Sequence, residues 1–352
     1  MSKSNALNRP CATPVSPHAT PRRQTSPCRP VLRRAREEPL SSGEALRLAV
    51  RWMLRMRAAI TAVALPISGA LALPPTDGST ELTANETASK DKSRFHLFNP
   101  TPVALMRELT TDRPDKTESP YTVDAGHFQV EMDLANFTQD REDGVRTRAW
   151  NIAPVNFKVG LLNNADLQVV FDSYIHERVE DRAARTTETT SGVGDLTVRL
   201  KINLWGNDGG QTAFAIMPFV KAPTNSHGLG NHSVEGGVIF PLAVELPAGW
   251  SMGLMTEVDF LRDEVDRGYH AEFINTVTFS HDIVGKLGGY VEFFSSVSTE
   301  RGARWVGTVD VGLTYGLTYG LTKNIQIDAG CNIGVTRSAD DVNPFVGISV
   351  RF

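Results

Sequence analysis

Charged residues recur at every second position in several stretches of this chain. "FQVEMDL" sets Glu131 and Asp133 against Phe128, Val130, Met132 and Leu134. "DLTVRLKINL" sets Arg199 and Lys201 against Leu196, Val198, Leu200, Ile202 and Leu204, and "WSMGLMTEVDF" sets Glu257 and Asp259 against Trp250, Met252, Leu254, Val258 and Phe260. Asp172, Asp310 and Asp328 hold the same place in "DLQVVFD", "VDVGLTYG" and "IQIDAGCNIGV". Successive side chains of a strand point to opposite faces, so each stretch presents one ionised face and one apolar face. Such an ionised face has two uses. It can line a watery passage, where rings of carboxylate favour cations, or its acids and bases can pair across the space and fill it.

Other chemistry has little to stand on. No HExxH, CxxC or phosphate-loop spacing occurs. His127, His176, His227, His232, His270 and His281 are scattered, and none has a second histidine or a cysteine two or four residues on. No metal, cofactor or nucleic-acid partner is therefore expected. A barrel hydrolase would need Ser, His and Asn together, yet His270 and Asn275 fall on opposite faces by parity. The expectation is a protein that is not an enzyme. Cys331 alternates with Ile327, Ala329 and Ile333, which suits a small apolar surface residue, and the other cysteines, Cys11 and Cys28, lie in the N-terminal head.

The elements that must position these charges are strands. Weaker alternating stretches at about 145–161, 211–222, 232–246, 269–280, 286–297 and 342–352 join the clear ones to give twelve. The connections alternate in length. "NNA", "GNDGG", "PAG", "HDIVG" and "TKN" are tight, whereas "TQDREDG", "IHERVEDRAARTTETTSG", "PTNSHGLGN", "RDEVDRG", "STERGA" and "RSADD" are longer and charged. Short turns on one rim and long loops on the other are the habit of an antiparallel transmembrane β-barrel. Hydrocarbon cannot hydrogen-bond a bare amide, so a sheet can cross it only when closed on itself. Phe137, Tyr174, Phe260 and Trp305 fall near long-loop ends, and Phe157, Trp205, Trp250, Phe279 and Phe352 near short-turn ends, as two interfacial girdles would. A soluble sandwich satisfies the strand pattern alone but gives no reason for the sorted loops. "GLTYGLTYGLT" (312–322) reads as a four-residue tandem copy; an even insertion keeps every side chain on its face and should lengthen the strand or push a bulge to the rim.

The N-terminal third is organised differently. Residues 1–57 carry 12 Lys and Arg against 3 Asp and Glu, and the remainder 24 against 37, so the net charge of −4 averages two unlike parts. Arg55 and Arg57, the apolar run Ala58 to Leu65 and the small-x-small Ala70-Leu71-Ala72 make a secretory signal, cleaved after Ala72. Its position, fifty residues in, suggests a true start at Met53 or Met56, with the Pro/Arg/Ser-rich head disordered if translated. Residues 73–93 read as a flexible leader. Residues 94–120 hold too many prolines for a strand or long helix; they can fold back as a plug, where Asp112, Arg113 and Asp115 would meet lumen charges. The barrel then spans 121–352.

In the plug region, Thr111-Asp112-Arg113-Pro114-Asp115, Thr117-Glu118-Ser119-Pro120, Val123, Gly126, His127 and Gln129 resemble the outer-membrane transporters grouped as the MetA-pathway of phenol degradation family. "GVGDLTVRLKINL", "EGGVIFPLAVELPAGWSMGLMTEVD" and the end "NPFVGISVRF" are similar to that family as well. The resemblance implies an outer-membrane barrel linked loosely with small aromatic compounds. It also implies partners in outer-membrane lipid and in the barrel-assembly machinery, which reads a terminal aromatic such as Phe352. The expected function is a channel passing small solutes through a charged lumen. The alternatives are a structural or interaction barrel with a blocked lumen and, less favoured, a barrel lipase or esterase.

Overall fold

The computed structural model describes residues 91–263, 268–300, 302–319 and 322–352. The expected basic head, the signal peptide with its cleavage after Ala72, and all but the end of the leader lie outside the described residues.

Among the described residues the chain forms thirteen strands and almost no helix. They are β1 (Phe128–Glu142), β2 (Val145–Leu162), β3 (Ala165–Asp181), β4 (Thr186–Gly192), β5 (Leu196–Trp205), β6 (Thr212–Ala222), β7 (Glu235–Glu245), β8 (Trp250–Arg262), β9 (Tyr269–Val284), β10 (Leu287–Ser298), β11 (Val306–Tyr319), β12 (Thr322–Gly334) and β13 (Val342–Arg351). Each pairs antiparallel with its neighbour, and β13 returns to pair with β1. The sheet is closed. No described helix is long and apolar enough to cross a membrane.

Thirteen strands make twelve staves because β4 and β5 share one. β4 pairs with the upper half of β3, Ile175 to Asp181, and β5 with its lower half, Ala165 to Phe171. Between them Val193 is bonded to the loop after β6: Ser226 Oγ accepts from Val193 N–H, and Val193 C=O accepts from Ser226 N–H. Expected and observed stave numbers agree.

Several connections differ from the sequence reading. "TQDREDG" is not a loop: β1 continues to Glu142, and Asp143 (φ 48°) and Gly144 (φ 89°) form a two-residue turn with both φ positive. That conformation suits a twisted hairpin and explains the Asp-Gly pair. "IHERVEDRAARTTETTSG" is likewise mostly the β3–β4 hairpin. With 18 and 17 residues, β2 and β3 exceed the ten or so that a tilted strand needs to span hydrocarbon, so their ends project beyond it at the long-loop rim. At the other rim, "HDIVG" is largely strand up to a turn at Gly285 and Lys286, and "TKN" lies inside β12. In both, ladder pairing continues across residues whose types resemble a turn. The repeat ends in a register shift between Leu317 and Tyr319, beside the short-turn rim.

The two faces sort as the alternation requires. Outward positions carry Leu134, Val291, Leu313 and Ile327, and the aromatic residues Trp205, Trp250, Phe260 and Trp305. Outward rings pair near the rims: Phe128 with Phe157, Trp205 with Phe214, and Phe137 with Trp150. Inward positions carry Glu131, Lys158, Lys201, Glu292 and Asp310, each 2% exposed or less. A water-soluble protein of this pattern would be inside out, since apolar residues normally occupy the dry side. Val291, mid-strand and 45% exposed on the outer face, tests this directly. Val291→Arg should cost about 2–4 kcal/mol of folding free energy in a bilayer, measured by denaturant titration in lipid vesicles; a negligible cost would contradict a lipid-facing surface.

Candidate functional site

The charged inner faces meet a partner from the same chain. Residues 91–127 are irregular backbone with one short 3-10 turn at Val103–Leu105; Phe98 and Val103 are exposed, and the stretch from 112 to 125 packs against the inner wall. The prolines explain the lack of regular structure: Pro100, Pro102, Pro114 and Pro120 each remove a donor and fix φ. Backbone groups that would otherwise be buried and bare are taken up by wall side chains. Asp112 N–H donates to Glu131, Lys116 N–H and Thr117 N–H donate to Glu292, and Val123 N–H donates to Asp166.

Asp112 is the most heavily bonded group. Its two oxygens each lie 2.5 Å from an ammonium, Lys158 on β2 and Lys201 on β5, and Oδ2 also accepts from Gln168. Lys158 also pairs with Glu131. Burial alone would raise the Asp112 carboxyl's pKa, but Lys158 and Lys201 outweigh it and hold the group well below the usual carboxylate range. Arg113 lies over the inner wall at a three-strand row, Asp133–Gly347–Asp328. Its guanidinium bonds Asp133 at 2.6 Å and Asp328 at 2.7 Å. It rests where a Cβ on Gly347 would sit, so only glycine leaves room between the two acids. Lys116 reaches Asp310 and Thr308, and Glu118 pairs with Arg199 at 2.5 Å. Nearer the short-turn rim, Arg107 and Arg351 flank Asp124, and the Asp124 backbone lies against Gly160 with no room for a Cβ.

The structure thus places every lumen-lining candidate on the inner face. Glu131, Asp133, Arg199, Lys201, Glu257, Asp259, Asp310 and Asp328 are buried there and Asp172 half-buried. The plug brings Glu131, Asp133, Arg199, Lys201, Asp310 and Asp328 into polar contact with itself. Asp172 accepts instead from Asn151 of β2. Of the three plug candidates, Asp112 and Arg113 meet opposite charges, whereas Asp115 faces a like charge, Glu292, and the hydroxyl of Thr278. His270 and Asn275 are not brought together: His270 bonds Asp263, and Asn275 points outward to Thr256. At the long-loop rim Asp263, His270 and Glu300 each bring a ligand atom within 4.8 Å of the others.

Two sets of residues escaped the sequence reading. Lys116, Glu118 and Lys158 complete the ion pairs; the alternation of sign in "DRPDKTE" was the available signal for the first two. The second set is apolar. Met217, Ile239, Met255, Ile274, Phe294 and Val306 form a buried cluster on the inner wall, with Phe219 beside it and Ala339 of the β12–β13 loop above. Parity could have found them, since Met255 shares a face with Glu257, Ile274 with Glu272 and Phe294 with Glu292. An apolar residue on an inner face looks the same in sequence as one on the outer face of a neighbouring strand.

The family described as "Putative MetA-pathway of phenol degradation" matches residues 111–352. No curated protein sequence matches the chain. Among solved structures, the chain is similar to the COG4313 outer membrane channel from Pseudomonas putida F1, with 14% identity and a TM-score of 0.49 over 69% of this chain and 100% of that one. It is similar to the NanC porin, with 11% identity and a TM-score of 0.40 over 63% and 98% of the two chains. It is also similar to a deltaS2 mutant of the TodX monoaromatic hydrocarbon channel, with 9% identity and a TM-score of 0.37 over 64% and 89%.

Asp112→Asn keeps the shape of the plug but leaves Lys158 and Lys201 short of a counter-charge. It should weaken docking of the segment by about 3–5 kcal/mol, seen as faster tryptic cleavage after Arg107 and Lys116 while the barrel stays folded. The sign of the pH dependence follows from the depressed carboxyl. The contribution of Asp112 is present above its unfolded value, about 3.9, and is lost only as pH falls through its lower docked value. Resistance of 107–119 to pepsin should therefore persist through about pH 4 in the native chain and be lost in Asp112→Asn.

Proposed function

The chain belongs to the putative MetA-pathway of phenol degradation family, and from that membership and the lumen geometry we propose an outer-membrane channel for small solutes, closed at rest by residues 91–127. The observation that carries this reading is where the wall charges find their partners. Acids and bases of β1, β2, β5, β11 and β12 are joined through Asp112, Arg113, Lys116 and Glu118 of the plug. Lys158 with Glu131 is a pair within the wall, but most of these wall charges have their counter-charge on a segment outside the sheet. Among the described residues that segment pairs with the sheet through backbone only near the end of β2, by the bridge of His96 to Leu162, the N–H of Leu97 donating to Leu161 C=O, and bonds of Gly126 and His127 with Gly160. It can leave without breaking a stave.

A lumen built only for stability would have its charges satisfied by fixed neighbours. One whose charges face a removable segment becomes a hydrated, ion-lined passage when the segment moves. The apolar cluster beside those charges supports solutes with an apolar part, and the family's description makes aromatic compounds the first to test. Export through the signal peptide and recognition of Phe352 by the assembly machinery belong to the same reading; Phe352 is exposed, and its N–H donates to Phe128 C=O. A second reading, a sealed barrel acting through its rim, draws on the projecting β1–β4 hairpins.

Planar-bilayer recordings separate the two. The native chain should give small or intermittent currents, and deletion of 94–120 should raise the mean conductance several-fold. An unchanged conductance in a deletion variant that still folds as a barrel would rule out the plug, and no current from either protein would favour the sealed barrel.

A further inference from the structure

The plug already presents a ligand to the wall. The Lys116 ammonium lies 2.9 Å from Asp310 Oδ2, 2.9 Å from Thr308 Oγ1, and 4.3 Å from the centre of the Phe294 ring. These wall groups form one compact patch on β10 and β11, where Phe294 pairs with Thr308 and Glu292 with Asp310. A carboxylate, a hydroxyl and an aromatic face around one nitrogen are what recognises a primary ammonium. Phe294 is 1% exposed and Asp310 fully buried. Asp310 Oδ1 has no hydrogen-bond donor, so the box is built for more than Lys116 supplies.

Charge decides what can replace Lys116. Removing it strands a buried carboxylate, a penalty that a neutral or anionic solute cannot offset. An incoming ammonium restores the balance. The adjoining wall is apolar, with Ile274, Met255, Ile239 and Met217 buried beside Phe294. Higher on that wall the ladder sets Glu257 between Ile239 and Ile274. Glu257 Oε2 and Asp259 Oδ1 are buried there without a donor.

We propose that Phe294, Thr308 and Asp310 form a binding site for small ammonium ions with an apolar body, and that Lys116 occupies it until such a solute displaces the plug. The proposal rests on the channel reading and gives it a solute class and a trigger. Aryl and alkyl amines fit; phenolates and aromatic acids do not.

The test is calorimetric titration of the refolded full chain in detergent with benzylammonium, benzyl alcohol and benzoate, alongside bilayer recordings with the same probes. Benzylammonium should bind at least about tenfold more tightly than either analogue and should raise the conductance. Lys116→Met, which vacates the site and keeps side-chain length, should tighten benzylammonium binding about tenfold. Asp310→Asn should reduce it to the level of benzyl alcohol; if that variant does not fold, Phe294→Leu should weaken it severalfold through loss of the ring face. Equal binding of benzoate or benzyl alcohol, indifference to Lys116→Met, or equal competition by Mg2+ would overturn the assignment. A chain that binds benzylammonium but passes no ions would refute the channel and leave the site; one that conducts without preferring benzylammonium would do the reverse.

Discussion

A peptide group in hydrocarbon has nothing to bond to but another peptide group, and the rest of this structure follows from that. Every outer-wall amide must be met by the next strand, so β13 has to come back to β1. Closure then makes the inside a separate solvent compartment. Once the apolar face is given to lipid, the alternate face can be ionised, and the usual rule of burying grease and exposing charge is reversed.

That reversal creates a second problem, because the charges on the inner wall sit in a narrow space. Isolated there, a carboxylate or ammonium costs several kcal/mol. The chain's solution is a segment with no regular structure whose own charges alternate in sign. Asp112 between two lysines and Arg113 between two aspartates are complementary clamps on adjoining parts of the wall. Each is strong because it is enclosed, and each depends on the segment being in place. Glycines at Gly347 and Gly160 let the segment come close enough to form them. Docking of the segment therefore resides in a few contacts.

The apolar cluster adds a different element. Met217, Ile239, Met255, Ile274 and Phe294 occupy inner positions that could have been charged. They lie on consecutive staves from β6 to β10 and form a dry strip beside the ion pairs. A wholly charged lumen would hold water and small ions; a strip of this kind gives an organic solute somewhere to rest its carbon skeleton while its polar end meets a wall charge.

The sequence by itself determined the strand type, the stave number and which face of each strand carries charge, because side-chain alternation is a local property readable within seven or eight residues. It also marked 94–120 as irregular, since proline acts on its own backbone. Two tight turns were misplaced and two hairpins mistaken for loops, because ladder pairing extends strands through turn-like residues such as those in "TKN" and "TQDREDG". Only the tertiary structure decided which charge meets which. Arg113 and Asp328 are 215 positions apart, and their contact depends on barrel closure, on the register that aligns Asp133, Gly347 and Asp328, and on the path of the plug. Parity says that a side chain points inward, but what it finds there is fixed by the relative stagger of all the staves, a global quantity that no single segment encodes.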